Sequence, residues 1–177
     1  MYSEGKEQLV KISSYAGARK DYVQGGGGTI GLFTLQWARI FGAKTVTVFD
    51  IDEARLKFIK DYGADYTINT KDSDGYEASM EITGGSGFDF VFETAGQPAT
   101  MNLAFRIAAV KSSVCFIGTP HTDLTFPPLT WELMNRKEFR LSGSWMSYSA
   151  PYPGKEWSLV APFSGERRAS DRGRPDI

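Results

Sequence analysis

The chain has 177 residues, of which 41% are apolar and 23% are charged, and it carries a net charge of -1 at pH 7 with a pI near 5.9. A chain of this length and composition can bury a core and predicts one ordinary globular domain. The nearly balanced charge argues against general binding to nucleic acid or to an anionic membrane, since neither counterion release nor attraction to lipid would be large. The balanced charge is more compatible with small-molecule partners than with nucleic acid or membranes.

The residue types that most often hold metals are scarce. Cys115 is the only cysteine and His121 the only histidine, so an internal disulfide and the usual three- or four-ligand zinc site are excluded. We predict no catalytic residue and no metal ligand in this chain. Because no apolar run reaches the roughly 18 residues of a membrane span and the start lacks the apolar segment of a signal peptide, we expect a cytoplasmic protein.

The first elements are a polar lead-in over 1–21 and a short strand over 22–24. Arg19, Lys20 and Asp21 stand directly before this strand. The first strand of a doubly wound sheet is covered on both faces and should be a longer apolar run. The predicted strand over 22–24 is therefore the least convincing strand in the chain.

A glycine motif follows. Gly26, Gly28 and Gly31 satisfy G-x-G-x-x-G, and apolar residues then recur at helical spacing until Gly42. The β-branched run 45–49 predicts a strand that ends at Asp50, 19 positions after Gly31. Strand, glycine loop, helix, strand and acid occur in the order of a dinucleotide-binding unit.

The remaining pattern alternates helices with strands. Asp52 can cap a helix that ends before Gly63. Further strands are predicted over 66–69, 88–92, 114–117 and 139–141, with helices over 71–85, from Pro98 through Ala108, and from Pro127 through Met134. This order predicts an α/β fold, a doubly wound and mostly parallel Rossmann sheet of about six strands with helices on both faces.

Each glycine of the motif has a physical reason. Gly26 permits the tight turn, Gly28 lets the backbone approach a pyrophosphate, and Gly31 lets the helix pack near the sheet. The phosphates would face the amino end of the helix at Thr29 and Ile30, where free N–H groups and the helix dipole favour negative charge. The alternative is a plain flexible turn, which four consecutive glycines could also form.

Asp50 indicates which dinucleotide would bind. A carboxylate there can accept hydrogen bonds from the adenosine ribose hydroxyls and would repel a 2′-phosphate, so NAD is favoured over NADP. Its alternative role is an N-cap for the following helix. Arg55, one turn further on, could reach the adenine or the ribose, or could be a plain solvated arginine.

Four segments carry a family resemblance: Gly-Gly-Gly-Thr-Ile-Gly-Leu at 26–32, Gly-Ala-Lys-Thr-Val-Thr-Val-Phe-Asp at 42–50, Tyr-Gly-Ala-Asp-Tyr-Thr-Ile-Asn at 62–69 and Phe-Glu-Thr-Ala-Gly at 92–96. They resemble the coenzyme domain of medium-chain zinc-dependent alcohol and polyol dehydrogenases. Phe-Ile-Gly-Thr-Pro-His at 116–121 and the segment 141–157, with its Gly-Ser-Trp-Met, resemble the polyol branch in particular. The resemblance defines an NAD-binding domain over 22–157.

The resemblance also implies cofactor contacts. Besides the glycine loop, it assigns them to the residues matching Ile30, Asp50 and Arg55. The nicotinamide end would be lined by the backbone after the fifth and sixth strands, namely Ile117, Gly118, Thr119, Ser144, Trp145 and Met146. Both segments follow strands at the carboxyl edge of the sheet, where ligands bind in open α/β folds.

The sequence departs from the family at several points. The family's zinc ligands have no counterpart here, so the catalytic zinc domain is expected to be absent. Cys115 is interpreted as a small buried residue, His121 as a surface histidine and Glu93 as a site-lining or capping residue. Residues 158–177 mix acids with arginines and predict a disordered tail. We expect a truncated or interrupted version of a larger dehydrogenase.

Three hypotheses follow. The first is the NAD-binding part of an oxidoreductase that transfers hydride between a secondary alcohol of a polyol or polyol phosphate and NAD, with this chain alone inactive. The second is an isolated NAD-binding module without catalysis. The third is a non-redox interaction or structural protein that keeps the fold. By resemblance, homo-oligomers would form through the edge strand at 139–141.

Overall fold

The computed structural model describes residues 21–144, with side chains from residue 26 onward. Six strands alternate with five helices along this part of the chain. The strands are β1 (Asp21–Gly25), β2 (Thr45–Asp50), β3 (Tyr66–Asn69), β4 (Phe88–Glu93), β5 (Ala108–Phe116) and β6 (Arg140–Gly143). The helices are α1 (Thr29–Ile40), α2 (Glu53–Asp61), α3 (Tyr76–Ile82), α4 (Pro98–Ile107) and α5 (Pro128–Lys137).

All six strands are parallel and lie in the order β3-β2-β1-β4-β5-β6. This is the doubly wound arrangement that the alternation of elements predicted, and the fold class is confirmed. β1 pairs with β2 on one side and with β4 on the other. The strands added after β1 therefore lie first on one side of it and then on the opposite side. The carboxyl ends of these three strands form the switch point, where ligands bind in such sheets.

The strand that looked weakest in the sequence is therefore central in the structure. Asp21, which we had assigned to the polar lead-in, already belongs to β1. The ladder to β2 and β4 uses backbone groups, which every residue here supplies, so the short strand forms despite its polar composition. The rest of the predicted lead-in and the predicted tail over 158–177 lie outside the described residues.

Two apolar clusters cover the two faces of the sheet. The first packs α1 and α2 onto one face and includes Leu35, Val48, Ile59, Phe90 and Phe92. The second packs the other face under α3, α4 and α5 and includes Phe49, Val91, Leu103, Phe105 and Phe139. Helices on both faces explain why β2 and β4 are buried almost throughout.

Local signals set several helix ends as predicted. Asp52 caps α2 because its side chain accepts hydrogen bonds from the N–H groups of Ala54 and Arg55, at 2.8 and 3.1 Å. Gly42 follows α1 with a φ of 83°, a conformation that glycine adopts without strain. Pro98 begins α4, where its missing N–H costs nothing.

The connection between α4 and β5 differs from the prediction. The helix stops at Ile107 and the strand begins at once at Ala108, six residues before the predicted start at 114. The register to β4 shifts in this region, and Lys111 has a φ of 61°. The Lys137 amine donates hydrogen bonds to the carbonyls of Arg106 and Ala108, each at 2.7 Å, and so satisfies the end of α4 without a loop.

Phe105 is the residue on which the α4 face depends most. It is fully buried and its ring packs against the rings of Phe116, Phe126, Trp131 and Phe139, at centroid distances of 5.0 to 6.0 Å. These neighbours come from β5, α5 and the segments beside them. Its side chain therefore packs α4 against β5 and α5 and against the residues just before α5 and β6.

We expect Phe105→Ala to lower the free energy of unfolding by about 3–5 kcal/mol, because it removes a fully buried ring and leaves a cavity. Urea unfolding of the 177-residue chain measures the change. Phe58→Ala is the matched control, since Phe58 is 51% exposed on α2, and its cost should stay below about 1 kcal/mol. Equal effects of the two substitutions would contradict this assignment of the core.

Candidate functional site

The glycine loop lies between the end of β1 and the start of α1 at the switch point. Gly26 has a φ of 102°, and its N–H donates to the carbonyl of Phe49 at 2.7 Å. A Cβ at Gly26 would lie 2.9 Å from Oγ1 of Thr94. Gly26 thus has both reasons to be glycine, a left-handed turn and a close neighbour from the loop after β4.

The other two motif glycines occupy the start of α1. Gly28 is the N-cap residue, and a Cβ there would meet nothing within 4 Å. Gly31 is buried in the first turn. No side chain caps this helix end in the described part of the chain. The N–H groups of the first turn, including that of the half-buried Ile30, therefore face open space beside Gly28.

Asp50 lies directly under this loop. Its carboxylate is 8% exposed and accepts hydrogen bonds from the Gly27 N–H at 2.6 Å and the Asp52 N–H at 2.9 Å. The N-cap of α2 is Asp52, so the alternative role of Asp50 as a cap is wrong. A carboxylate has about four lone-pair sites, and these two hydrogen bonds use two of them.

Gly27 was missed by the sequence analysis because it is not one of the three motif positions. A Cβ at Gly27 would lie 3.1 Å from Oδ2 of Asp50 and 3.3 Å from Cβ of Arg55. The absence of a side chain lets the acid approach the loop backbone. The run of four glycines was the available signal, since the motif itself needs only two of the glycines at 25–28.

Arg55 stands at the outer side of the acid. Its guanidinium lies 3.9 Å from Oδ2 of Asp50 and 3.9 Å from Oδ2 of Asp52, and its side chain is 59% exposed. Both distances are long for hydrogen bonds. Arg55 is therefore free to turn toward a ligand that lies against Asp50.

The loops that follow β4 and β5 touch through their backbones. A Cβ at Gly118 would collide with the Gly96 nitrogen, and one at Gly96, where φ is 68°, would collide with the Thr119 carbonyl. The N–H groups of Ile117 and Gly118 both donate to the carbonyl of Glu93, at 2.8 and 2.9 Å. Ile117, Gly118 and Thr119 thus lie together beside the end of β4.

The third predicted segment is described only at its beginning. The Ser144 N–H donates to the Phe116 carbonyl at 2.9 Å, which places Ser144 beside the end of β5. Trp145 and Met146 lie outside the described residues. The structure therefore brings all the predicted site residues from Gly26 to Ser144 to the carboxyl edge of the sheet.

Glu93 ends β4 and is 2% exposed. Its Oε1 accepts hydrogen bonds from the N–H groups of Ala95 and Gly96, at 2.9 and 3.0 Å, and the Thr100 hydroxyl lies 2.7 Å away. Burial raises the pKa of Glu93 above its ordinary value of 4.5, and these donors act in the opposite direction. Of the two expected roles, site-lining or capping, the structure places Glu93 in the wall of a cavity, whereas the N-cap residue of α4 is Gln97, with no side-chain cap hydrogen bond.

A cavity of about 290 Å³ opens at the same edge, on the face that carries α4. Its walls are mostly apolar and come from β2, β4 and α4, and include Phe49, Ile51, Val91, Leu103 and Ala104. Polar groups from Asp74, Glu93 and Gln97 stand among them. Since Ile51 follows Asp50 directly, the cavity begins beside the acid. Sequence reasoning missed it because the walls come from separate segments.

The two other singled-out residues are as expected. Cys115 is buried in β5, and burial raises the pKa of its thiol. His121 is exposed. Residues 26–144 contain no group of three or more histidine, cysteine, aspartate or glutamate side chains arranged to hold a metal ion. None of the helices described is long and apolar enough to span a membrane.

Comparison with known proteins decides the family. The family model described as zinc-binding dehydrogenase matches residues 29–162, which is most of the chain. The chain belongs to the zinc-binding dehydrogenase family. The resemblance read from the sequence is thereby confirmed, and this member of the family combines a doubly wound sheet with an acid buried under its glycine loop.

Polyol dehydrogenases are among the individual relatives. Galactitol 1-phosphate 5-dehydrogenase of Escherichia coli strain K12 is 37% identical over 145 residues, which are 82% of this chain and 42% of the relative. L-idonate 5-dehydrogenase of Vitis vinifera is 36% identical over 106 residues, 58% of this chain and 29% of the relative. The crystal structure of the Escherichia coli galactitol-1-phosphate dehydrogenase superposes with a TM-score of 0.75 at 33% identity, covering 94% of this chain and 47% of the other. The chain thus spans less than half the length of these relatives.

We expect the stability difference between the wild-type chain and Glu93→Gln to depend on pH. Because the folded state raises the pKa of Glu93, the wild-type contribution is fully present below the unfolded pKa and is lost as pH rises through the folded pKa. Urea unfolding of both proteins between about pH 4 and pH 8 measures this trend.

Asp74→Asn is the matched control. A hydrogen bond from the Tyr76 N–H and the nearby Arg106 guanidinium lower the pKa of Asp74 below 3.8. Its contribution is fully present above the unfolded pKa and is lost as pH falls through the lowered pKa, so its difference from wild type should be constant above about pH 5. A constant difference for Glu93→Gln as well would contradict the predicted pKa direction.

Proposed function

We propose that this chain is the NAD-binding part of an oxidoreductase that transfers hydride between a secondary alcohol of a polyol or polyol phosphate and NAD. The observation that carries the proposal is the buried carboxylate of Asp50, held at 2.6 Å from the Gly27 N–H under a glycine loop at the switch point. A charge buried beside a backbone turn, next to an open helix end, suits a ligand that brings hydroxyls and phosphates together.

Each part of NAD has a matching surface. The pyrophosphate would lie against the first turn of α1 at Gly28 and Ile30, where N–H groups are free and no side chain intrudes. The adenosine ribose would donate to Asp50. The adenine ring would enter the apolar cavity beside Ile51. The nicotinamide would extend along the backbone of 117–119 toward Ser144.

When bound, NAD supplies the carbon that accepts the hydride. The residues of this chain would bind and orient it, and none of them is assigned a bond-making role. Because residues 26–144 contain no metal-binding cluster, we assign no step to zinc in this chain. The second candidate function is an isolated NAD-binding module without catalysis of its own, for which the site around Asp50 would serve equally well.

The choice of NAD over NADP also rests on Asp50. A 2′-phosphate on the adenosine ribose would approach a carboxylate that is already buried and negatively charged, and like charges at close range repel. Arg55 is within reach of the same position, yet its guanidinium lies between Asp50 and Asp52. The negative charges of these two aspartates offset its positive charge.

The polyol substrate is proposed from similarity. Galactitol 1-phosphate and L-idonate dehydrogenases are among the curated relatives. The segment 141–157, with its Gly-Ser-Trp-Met, also resembles the galactitol-1-phosphate enzyme in particular. Cytoplasmic location and homo-oligomer formation through the edge strand β6 stay predictions.

Titration calorimetry with NAD tests the cofactor proposal. We expect saturable NAD binding, weaker NADP binding, and a loss of NAD affinity of about tenfold in Asp50→Asn, because a hydrogen bond to a charged group is worth that much. Asp52→Asn is the matched control, since asparagine also caps helices well and the position is two residues away. No binding of NAD by the wild-type chain would reject the proposal, and so would equal losses in the two variants.

A second measurement concerns turnover. The 177-residue chain, given zinc, NAD and a polyol phosphate, should produce no steady increase in NADH absorbance, because no described cluster can hold the metal. Sustained NADH formation would show that the chemistry resides in this chain after all.

A further inference from the structure

Glu93 is a buried carboxylate at the site to which the proposed function gives no role. It stands between two surfaces that NAD would use, because its side chain lines the cavity and its carbonyl accepts the N–H groups of Ile117 and Gly118. Burying a carboxyl group is costly unless it is well hydrogen-bonded, and this one accepts hydrogen bonds from Ala95, Gly96 and Thr100. Its position therefore requires an explanation beyond packing.

The two carboxylate oxygens of Glu93 face different neighbours. Oε1 gathers the Ala95 and Gly96 N–H groups and the Thr100 hydroxyl. Oε2 lies 3.2 Å from the Gly96 nitrogen and only 2.7 Å from where a Cβ of Gly118 would be. Both oxygens thus hold the Gly96 N–H in the loop after β4, and Oε2 lies on the side of Gly118 in the loop after β5.

These two loops meet with no room for adjustment. Neither Gly96 nor Gly118 could carry even a methyl group without a collision with the backbone of the other loop. A shift of the Gly96 peptide would therefore be passed directly to Gly118 and Thr119. Since Glu93 holds the Gly96 N–H, it fixes the position of both loops at once.

We propose that Glu93 is a positioning residue. It holds the 117–119 backbone at the distance from the cavity at which the nicotinamide end of NAD can contact this backbone while the adenine ring lies in the cavity. The inference rests on the proposed NAD-binding function. It gives Glu93 no contact with the reacting atoms. Its effect should appear at the nicotinamide end of the cofactor and should be absent at the adenosine end.

Glu93→Gln separates the two ends. The glutamine oxygen is expected at the Oε1 position, where three donors meet, so the amide nitrogen would replace Oε2. There a donor would face the Gly96 N–H, beside Gly118, and the contact between the loops would be disturbed. The size of the side chain is conserved, so the cavity wall keeps its shape.

The experiment compares NADH with ADP-ribose, which lacks only the nicotinamide, by titration of the 177-residue chain. We expect the wild type to bind NADH more tightly than ADP-ribose. Glu93→Gln should weaken NADH binding about tenfold and change ADP-ribose binding by less than about twofold, since a displaced 117–119 backbone would lose contact with the nicotinamide, which only NADH carries. The fluorescence enhancement of bound NADH, which reports the surroundings of the nicotinamide, should fall as well.

Two further variants test whether the change in affinity comes from the hydrogen bonds of Glu93. Thr100→Val removes a single donor to Oε1 without changing shape, so it should change the NADH to ADP-ribose ratio in the same direction and by less. It decides the question if Glu93→Gln does not fold. Glu81→Gln, on the exposed side of α3, is the matched control and should change neither affinity.

The outcomes are distinguishable. If the wild-type chain binds neither ligand, the proposed function and this inference both fail. If it binds both but shows no preference for NADH, or if Glu93→Gln weakens the two ligands equally or not at all, only the role of Glu93 is overturned. A selective loss of NADH affinity and fluorescence supports it.

Discussion

The hydrogen bond between the Gly27 N–H and the Asp50 carboxylate, 2.6 Å long and buried, ties together the parts of the site. The glycine loop follows β1 and the acid ends β2, and the second carboxylate oxygen holds the Asp52 N–H at the start of α2. A buried carboxylate is tolerated only when such donors replace water. One side chain therefore fixes the relative positions of two strand ends and two helix starts, and the open end of α1 is placed beside a negative charge.

On the other side of the switch point, glycines let neighbouring loops approach each other closely. Gly26 meets Thr94 from the loop after β4, and Gly96 meets Gly118 from the loop after β5. Side chains at these glycines would force the loops apart. The carboxyl edge is consequently one surface that runs from α1 to Ser144. Glu93 lies between the loops that follow β4 and β5, and it accepts hydrogen bonds from the first of these loops.

Much of the fold follows from local sequence patterns. Apolar faces at helical spacing predicted α1 and α4, the β-branched run predicted β2, and Asp52, Gly42 and Pro98 set helix ends by capping and turn chemistry that acts within a few residues. The weak β1 was harder, because its stability comes from ladders to β2 and β4 that no local pattern reveals. The early start of β5 at Ala108 likewise depends on a distant residue, Lys137, which satisfies the end of α4.

The sequence by itself determined the order of strands and helices, the glycine loop and the acid 19 positions after Gly31, because these features are set by spacing along the chain. The resemblance of its motif segments to known dehydrogenases indicated the family. Only the tertiary structure decided which groups meet. It showed that Asp50 binds the loop through Gly27, that Asp52 and not Asp50 caps α2, and that the cavity combines walls from β2, β4 and α4. The physical reason is that parallel strands distant in sequence bring their carboxyl ends to one edge, where contacts depend on packing across the sheet.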